Sequence, residues 1–485
     1  MKLRVLSVAS EAVPLVKTGG LADVVGALPD ALAPHGVAMT VMVPGYPAVL
    51  KAIGKARAIH AWPSLLGEPA RLLAARLGEH ALLVLDAPGY FARGGGPYGD
   101  SAGHDWADNW RRFAAFGRAA ADLAGGAVKG KRFDVLHAHD WQAAMAIAYT
   151  RFAPPPQAAP LPSVMTIHNM AFQGNFGPET FPALGLPDAA WSIHGVEYHG
   201  GVSFLKAGME AASMITTVSP TYAAEIRDAQ FGMGLEGLIL SRGDRVRGIV
   251  NGIDTAQWNP ETDPALATTF GLRKLDRRIR NKRALEAEFA LEPDEGPLFI
   301  VISRLAWQKG MDVLLEAVDH LVGIGGRLAV LGSGDAALEA GFHAAAARHP
   351  GRVSVRTGYD EALSHRMQGG GDAILVPSRF EPCGLTQLYG LAYGCVPVVA
   401  RTGGLADTVI DANLAALQAG VATGIQFDGV SASALCAALS RAVALYHRPE
   451  QWRAIQRNGM KADFSWNRSG KAYADLYAQL VTETP

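Results

Sequence analysis

Cysteine is scarce in this sequence of 485 residues. The three cysteines, Cys383, Cys395 and Cys436, form no Cys-x-x-Cys pair. This spacing argues against a disulfide framework and against a cysteine-rich zinc site. Chains that keep their thiols reduced are typical of the cytoplasm, so we expect a cytoplasmic protein.

An excess of charge of either sign is also missing. The 44 Lys and Arg residues are balanced by 45 Asp and Glu residues, which gives a net charge of -1. A chain without a basic excess gives no reason to expect nucleic acid or a membrane as a partner. No apolar run approaches the roughly 18–20 residues of a membrane-spanning helix. The short apolar start, Leu3–Ala9, is soon followed by Glu11 and predicts a buried strand rather than a signal peptide.

Hydrophobic residues, by contrast, are abundant. They make up 49% of the chain, whereas charged residues make up 18%. This composition excludes intrinsic disorder and allows large buried cores. At roughly 150 residues per domain, the length predicts two or three domains.

Short runs rich in Val, Ile and Leu recur along the chain and alternate with helical stretches. Those of the first half are Leu3–Ala9, Val37–Val43, Ala81–Leu85, Phe133–His137, Ser163–Ile167 and Met214–Val218. Those of the second half are Leu298–Ile302, Arg327–Leu331, Arg352–Arg356, Ala373–Val376 and Val396–Ala400. Apolar strands that alternate with helices are typical of parallel sheets covered on both faces. The sequence therefore predicts an α/β protein with doubly wound domains.

The two series of strands are separated by Thr255–Phe289, which contains a cluster of Lys and Arg residues between positions 273 and 283. In a neutral chain this cluster favours a solvated helix face over a nucleic-acid-binding helix. We expect the hinge near Gly243–Gly252, with one domain at 1–245 and the other at 246–463. The proline-rich stretch 153–157 is expected to be a surface loop inside the first domain.

A seven-residue pattern occurs once in each half. Lys17-Thr18-Gly19-Gly20-Leu21-Ala22-Asp23 is repeated as Arg401-Thr402-Gly403-Gly404-Leu405-Ala406-Asp407. Each copy follows a predicted strand and opens a predicted helix. Two glycines allow a close approach to the backbone, and a helix N-terminus offers free N–H groups. The pattern indicates two candidate anion sites.

Further polar clusters follow the predicted strands, where ligands bind in open α/β sheets. Besides Lys17–Gly20 they are His137-Ala138-His139-Asp140-Trp141, His168-Asn169, Ser303–Gly310 and Ser378–Thr386. Arg304 and Lys309 are suited to neutralise a diphosphate. Glu381 is either a helix-start acid or a ligand of substrate hydroxyl groups. His137, His139 and Asp140 give only a weak metal signal, because the partner set of a metal site is missing.

One motif indicates a different class of enzyme. Gly332-Ser333-Gly334-Asp335-Ala336-Ala337 follows a predicted strand and fits the dinucleotide fingerprint G-x-G-x-x-A. The acidic residue expected about 20 positions later is absent, and Arg356 is placed to read a 2′-phosphate instead. An NADP dehydrogenase is therefore an alternative, although the motif lies in the middle of its domain and a tight strand-to-helix turn also explains it.

Taken together, these segments resemble the glycogen synthases of bacteria and the related plant starch synthases. The resemblance covers essentially the whole chain, in order. Its carriers are Lys17–Val24, His137–Trp141, Thr166–Asn169, Phe204–Gly208, Thr217–Tyr222, Asn251–Asp254, Ser303–Gly310, Pro377–Tyr389 and Arg401–Asp407. The Lys-x-Gly-Gly-Leu start and the Ser-Arg-Phe-Glu-Pro-Cys-Gly-Leu segment together are highly specific.

The resemblance implies a glycosyltransferase-B fold, in which two Rossmann-like domains face a deep cleft. Domain 1–245 would take the acceptor, domain 246–463 would bind the nucleotide sugar, and a C-terminal helix at 464–485 would cross back to the first domain. The implied reaction is transfer of glucose from ADP-glucose to the non-reducing-end 4-OH of an α-1,4-glucan, with retention of configuration and without a metal or other cofactor. UDP-glucose as the donor, and a non-catalytic glucan-binding protein, stay open as alternatives.

The resemblance also assigns roles to residues of this chain. The catalytic residues would be Glu381, His168, Arg304 and Lys309. The donor would be held by Lys17, Gly19, Gly20, Arg304, Lys309, Tyr359, Glu381, Cys383, Gly384, Leu385 and Thr386. On the acceptor side would lie Asp140 and Asn169. Many related enzymes have a second glutamate eight positions after the first, and here that position is Tyr389.

Overall fold

The two series of predicted strands form two separate sheets, one in each half of the chain. The structure, a computed structural model, describes residues 2–156 and 158–483. It divides into two units. The first contains the chain up to Val218, Ala223–Gly252 and the residues from Trp466 onward. The second contains Ser219–Tyr222 and Ile253–Ser465.

The elements of the first unit follow the predicted alternation of strands and helices. Its strands are β1 (Leu3–Val8), β2 (Val37–Pro44), β3 (Arg57–Leu65), β4 (Glu68–Leu77), β5 (His80–Asp86), β6 (Val135–His139), β7 (Ser163–Ile167), β8 (Asn175–Phe176), β9 (Glu197–Tyr198), β10 (Gly201–Ser203), β11 (Met214–Thr217) and β12 (Val246–Gly248). Its helices are α1 (Gly20–Leu32), α2 (Pro47–Ile53), α3 (Pro88–Phe91), α4 (Asn109–Ala124), α5 (Asp140–Phe152), α6 (Phe204–Ala211), α7 (Pro220–Glu225, which begins in the second unit), α8 (Ala229–Gly232) and α9 (Glu236–Ser241).

The main sheet of the first unit has the strand order β12-β11-β7-β6-β1-β2-β5-β4-β3. The strands from β12 to β5 are parallel, which confirms the prediction, and β4 and β3 are added antiparallel at one edge. This hairpin was not predicted, because the outer strand β3 is largely exposed and lacks a continuous apolar run. The strand order reverses between β1 and β6, so the loops that follow these two strands diverge there and leave room for a ligand.

The second unit is built in the same way. Its strands are β13 (Leu298–Ile302), β14 (Arg327–Gly332), β15 (Val353–Thr357), β16 (Ala373–Val376), β17 (Val396–Ala400) and β18 (Ile425–Phe427). Its helices are α10 (Arg278–Glu288), α11 (Met311–Gly323), α12 (Ala336–Arg348), α13 (Glu361–Gly370), α14 (Thr386–Tyr393), α15 (Gly403–Thr408), α16 (Leu414–Ala419), α17 (Ala432–Tyr446) and α18 (Pro449–Lys461). The last helix of the described residues is α19 (Trp466–Glu483), in the first unit.

All neighbouring strands of the second sheet are parallel, in the order β15-β14-β13-β16-β17-β18. This is the order of a Rossmann sheet, and it reverses between β13 and β16. Both faces are covered by helices, so side chains such as Phe299, Val301 and Leu314 are fully buried. Burial of one such side chain contributes roughly 1.5–3 kcal/mol, which explains why the apolar runs revealed the strands.

The unit boundaries differ slightly from the expected ones. The first unit extends to Gly252 rather than 245, because β12 pairs with β11 and completes the first sheet. The last helix begins at Trp466 rather than 464, since the main chain of Phe464 accepts a hydrogen bond from Ile253 N of the second unit, at 2.8 Å. Residues 484 and 485 of the predicted helix lie outside the described residues.

The basic segment before β13 is only partly solvated. Arg278 and Lys282 on α10 are buried. The Lys282 ammonium lies 2.7 Å from the Asp372 carboxylate, and the Arg278 guanidinium donates to the carbonyl of Gln368 at 3.1 Å. Part of the predicted solvated face therefore packs against the unit's own core.

Two other predictions concern loops and membranes. The stretch Ala153–Pro156 connects α5 with β7 outside regular structure, and Gln157 of the same predicted loop lies outside the described residues. Within the part of the chain that the structure describes, no helix combines the length and the apolar character needed to cross a bilayer.

Candidate active site

The predicted diphosphate pair lies in the loop after β13, at the reversal point of the second sheet. Arg304 is exposed, and its guanidinium lies 3.5 Å from Gln308 Oε1. Lys309 ends a 3₁₀ helix (Trp307–Lys309) and is mostly buried, with 18% of its side chain exposed. The loop therefore presents one open and one partly buried cation at the carboxyl end of β13.

Glu381 comes to the same place from the loop after β16. Its Oε2 accepts from Lys309 Nζ at 2.6 Å and from Ser378 Oγ at 2.9 Å. Its side chain is 10% exposed, so this carboxylate is held by an ion pair in a largely dry environment. The two loops also touch through their main chains, because Arg379 N donates to the carbonyl of Gln308 at 2.9 Å.

The turn that follows Glu381 leads into α14. Gly384 has φ +72°, a left-handed conformation that side chains disfavour. Gln387 stabilises the turn, since its Nε2 donates to the carbonyls of Cys383 at 3.1 Å and Gly384 at 2.8 Å. Cys383 is buried, whereas Leu385 and Thr386 are half-buried at the start of the helix. The turn that is predicted to contact glucose and phosphate is thus a strand-to-helix connection stabilised by hydrogen bonds.

The second copy of the seven-residue pattern supports this turn. A Cβ at Gly403 would meet the carbonyl oxygen of Glu381 at 2.0 Å, and a Cβ at Gly404 would meet that of Cys383 at 2.1 Å. Gly404 N donates to the Glu381 carbonyl at 3.0 Å. The glycines here permit close packing of two loops. They are therefore no longer evidence for an anion site in this copy of the pattern.

The first copy of the pattern has different surroundings. Nothing lies within 4 Å of a Cβ built at Gly19. Lys17 Nζ is 2.8 Å from Asp23 Oδ1 in the first turn of α1, which begins at Gly20. In this copy the glycine backbone borders open space, as the predicted anion loop requires.

The sequence reasoning missed the residue that fastens this loop. Glu11 is buried at 2% exposure, and its carboxylate accepts from the hydroxyl of Thr18 at 2.5 Å and from the main-chain N–H of Thr18. The Tyr98 hydroxyl donates to the same carboxylate. Burial, and after it the negative charge of Glu11, raises the pKa of Tyr98 well above its usual range. An acidic residue soon after a buried strand was the signal in the sequence.

The acceptor-side candidates meet at the ends of β6 and β7. Asp140 opens α5 with φ +54°, a conformation that costs a non-glycine residue on the order of 1 kcal/mol. Its Oδ1 accepts from the main-chain N–H of His168 at 2.6 Å, and burial raises its pKa to about 7. Asn169 Oδ1 accepts from Ala171 N at 3.0 Å, so its side chain shapes the loop.

The histidines beside Asp140 are held by neighbouring side chains. His137 is fully buried, with its ring nitrogens 2.8 Å from Tyr477 Oη and 2.6 Å from Thr166 Oγ1. His139 is fully buried as well and contacts Ser7 Oγ and His168 Nε2. Across residues 2–156 and 158–483, no group of three or more His, Cys, Asp or Glu side chains is arranged to hold a metal ion.

The dinucleotide fingerprint forms a tight turn. Cβ atoms at Gly332 and Gly334 would meet the carbonyl oxygens of Ser303 and Leu305 at 2.0 and 2.3 Å. Asp335 caps α12 by accepting from two of its first N–H groups, which leaves an acid where a pyrophosphate would lie. Arg356 donates to the main-chain carbonyl of Glu288, so it is already engaged on the protein itself.

Tyr359, the predicted adenine platform, follows β15. Its side chain is 68% exposed, and its hydroxyl donates to Glu361 Oε2 at 3.3 Å. The ring is accessible for stacking, and its role stays a prediction.

Comparison with known proteins is decisive for the family. Residues 4–241 match the family model of the starch synthase catalytic domain, and residues 283–459 match that of glycosyl transferases group 1. A glycogen synthase from Novosphingobium aromaticivorans is 75% identical over 483 residues, which covers 100% of both chains. The chain belongs to the glycogen synthase family.

Two further comparisons agree with this glycogen synthase assignment. A glycogen synthase from Mesorhizobium japonicum is 57% identical, with 99% of each chain covered. The catalytic domain of starch synthase IV from Arabidopsis thaliana, solved with ADP and acarbose bound, superimposes with a TM-score of 0.88 at 30% identity and full coverage of both chains. The predicted family, the glycosyltransferase-B fold and the enzyme class are confirmed, and the NADP dehydrogenase alternative is wrong.

Proposed function

We propose that this member of the glycogen synthase family transfers glucose from ADP-glucose to the non-reducing-end 4-OH of an α-1,4-glucan, with retention of the α configuration. The observation that carries the proposal is the meeting of Lys309 and Glu381 at 2.6 Å, from loops that follow β13 and β16. A cation and a carboxylate at this point of a Rossmann sheet suit a substrate that joins a diphosphate to a sugar.

The donor is assigned to the second unit. Arg304 and Lys309 neutralise the charge that develops on ADP as the bond to glucose breaks. Glu381 accepts hydrogen bonds from glucose hydroxyls, and the turn from Cys383 to Thr386 lies against glucose and phosphate. In this assignment the chain itself supplies the positive charge that a metal ion supplies in other transferases.

The choice of nucleotide is supported by a solved relative. The starch synthase IV domain, 30% identical, was solved with ADP and with acarbose. In this chain the accessible ring of Tyr359 is a candidate platform for the adenine base, because an exposed aromatic face can stack on a nucleobase. UDP-glucose would need the same diphosphate clamp, so donor choice rests on the base.

The first unit is assigned to the acceptor. Asp140, His168 and Asn169 lie at the carboxyl ends of β6 and β7, beside the reversal point of their sheet. Asp140 holds the main-chain N–H of His168, which fixes the backbone that carries the imidazole. Lys17, on the open glycine loop of the same unit, pairs with Asp23 in the free protein, and its predicted role toward the donor stays a prediction.

The proposal is tested by glucose transfer to glycogen with the purified protein. ADP-glucose and UDP-glucose are compared at equal concentration, with and without EDTA, and Glu381→Gln serves as the inactive control. We expect ADP release and glucan growth with ADP-glucose, unchanged by EDTA. Faster transfer from UDP-glucose would overturn the adenine assignment, and loss of activity in EDTA would overturn the metal-free clamp.

A further inference from the structure

A chain of buried side chains runs behind His168 in the first unit. Ser7 Oγ on β1 lies 3.2 Å from His139 Nε2 at the end of β6, and His139 Nδ1 lies 3.1 Å from His168 Nε2. Ser7 and His139 are both 0% exposed. The chain therefore connects the interior of the sheet with a residue of the proposed acceptor site.

None of the three groups carries a charge near neutral pH. Burial lowers the pKa of His168 to about 3, and burial together with the neighbouring imidazoles lowers the pKa of His139 well below its usual range. A neutral imidazole has one N–H donor and one acceptor nitrogen. In each of these hydrogen bonds one atom must therefore donate and the other accept. Once the donor of one bond is known, the donor of the other follows.

The hydroxyl of Ser7 sets that direction. Among the described residues, His139 Nε2 is the hydrogen-bond partner found for Ser7 Oγ. A buried O–H that donates to nothing costs on the order of 1–3 kcal/mol, so Ser7 donates to His139 Nε2. His139 then carries its proton on Nδ1 and donates it to His168 Nε2. The neutral ring of His168 is left with its proton on Nδ1.

We propose that Ser7 and His139 are positioning residues that fix His168 in the Nδ1–H tautomer, so that it presents a hydrogen-bond donor to an oxygen of the sugar substrate. The acceptor nitrogen of His168 is occupied by His139, so His168 does not take a proton from the acceptor hydroxyl. The tautomer itself follows from the contacts in the first unit. Its use toward a sugar oxygen rests on the proposed function.

The neighbouring histidine offers a comparison. His137 stacks on His139 with ring centroids 4.1 Å apart, but its nitrogens contact Tyr477 and Thr166 in a separate branch. That branch ends at Thr216, whose hydroxyl lies 2.6 Å from Thr166 Oγ1. Thr216 is thus a buried hydroxyl in the same sheet that does not lie in the chain to His168.

The first test is the tautomer of His168 in the full-length protein without substrate. The side-chain nitrogens are observed by NMR after labelling histidine with ¹⁵N, and His168→Gln identifies the signals of this ring. We expect a neutral ring with the proton on Nδ1 from pH 6 to pH 8. A proton on Nε2 would overturn the proposal, and this measurement does not depend on which sugar nucleotide the enzyme uses.

The second test removes the Ser7 hydroxyl, the first member of the hydrogen-bonded series from Ser7 through His139 to His168. In Ser7→Ala we expect His168 to populate both tautomers and kcat to fall about three- to tenfold, the effect of one neutral hydrogen bond, with the affinity for ADP unchanged. Ser7→Thr restores a hydroxyl and should restore the tautomer. Thr216→Val, the matched control, should keep the wild-type tautomer.

Two results would contradict the proposal that Ser7 and His139 set the tautomer of His168. If Ser7→Ala leaves His168 fully in the Nδ1–H form, Ser7 does not set the tautomer. If Thr216→Val changes the tautomer as much as Ser7→Ala does, the effect comes from general loosening of the sheet. If Ser7→Ala does not fold, the wild-type tautomer alone decides. Failure of ADP-glucose transfer with the expected tautomer would overturn the proposed function and the role toward sugar, and would leave the tautomer assignment intact.

Discussion

Lys309 and Glu381 form an ion pair in the proposed donor site, and replacing one or the other should affect the affinity for ADP differently. In the free protein Glu381 accepts from the Lys309 ammonium at 2.6 Å, so it occupies the cation that ADP would use. Lys309→Met removes the cation. Glu381→Gln releases the cation and also removes a negative charge from the neighbourhood of the diphosphate.

The magnitude follows from the kind of contact that is lost. A hydrogen bond between charged groups contributes about 1.5–3 kcal/mol, so Lys309→Met should weaken ADP binding roughly 10- to 150-fold. Glu381→Gln should leave ADP affinity unchanged or raise it, while turnover falls strongly because glucose loses its ligand. Each variant should also lose stability, since removing one member of a buried pair costs about 3–5 kcal/mol at most.

The assay is isothermal titration of ADP into each variant, with unfolding measured in parallel. Arg352→Met is the matched control, because Arg352 is similarly buried and pairs with Asp294 at 2.5 Å, but precedes the edge strand β15, at the amino ends of the parallel strands. It should lose stability and keep its affinity for ADP. Unchanged ADP affinity in Lys309→Met, or an equal loss in Glu381→Gln, would refute the assigned roles.

Two further predictions concern the surroundings of the site. Gly403→Ala should unfold more easily by about 2 kcal/mol or more in urea and lose glucose transfer, because its Cβ would meet the Glu381 carbonyl at 2.0 Å in a left-handed conformation; wild-type stability would contradict the packing described. Asp140 has a folded pKa of about 7 against 3.8 when unfolded, so the folded state binds its proton more tightly and stability falls as pH rises between these values. Asn does not titrate, so the free energy of unfolding of Asp140→Asn, relative to wild type, should be higher at pH 8 than at pH 5 by at most about 3 kcal/mol. Urea unfolding at both pH values measures this difference. The same difference from wild type at pH 5 and pH 8 would contradict the prediction.

The sheets could be predicted from the sequence because their strands are buried on both faces. Runs such as Leu298–Ile302 are continuous and apolar, and the structure has a strand at those residues. The ends of strands are less predictable, since they depend on pairing: β6 extends to His139 because that residue pairs with Thr166 of β7. The hairpin of β3 and β4 was missed because one of its strands lies at the solvent-exposed edge.

The candidate site was predictable as a set of loops and not as a set of contacts. The motifs indicated that Lys309 and Glu381 follow strands, but the contact between them depends on β13 and β16 being neighbours in the sheet. The same holds for Glu11 and Thr18, whose bond depends on the fold of the loop between them. The fingerprint at Gly332 was ambiguous because glycines permit both a nearby ligand and a nearby backbone, and here the backbone of Ser303 occupies the space.

We infer that the loops after β13 and β16 bind the diphosphate of the donor. A crystal structure of the protein with ADP bound tests it most directly. We expect phosphate oxygens within hydrogen-bonding distance of Arg304 and Lys309, with Glu381 released from the Lys309 ammonium. ADP bound elsewhere, for example at the turn of Gly332 and Gly334, would show that these loops do not form the donor site.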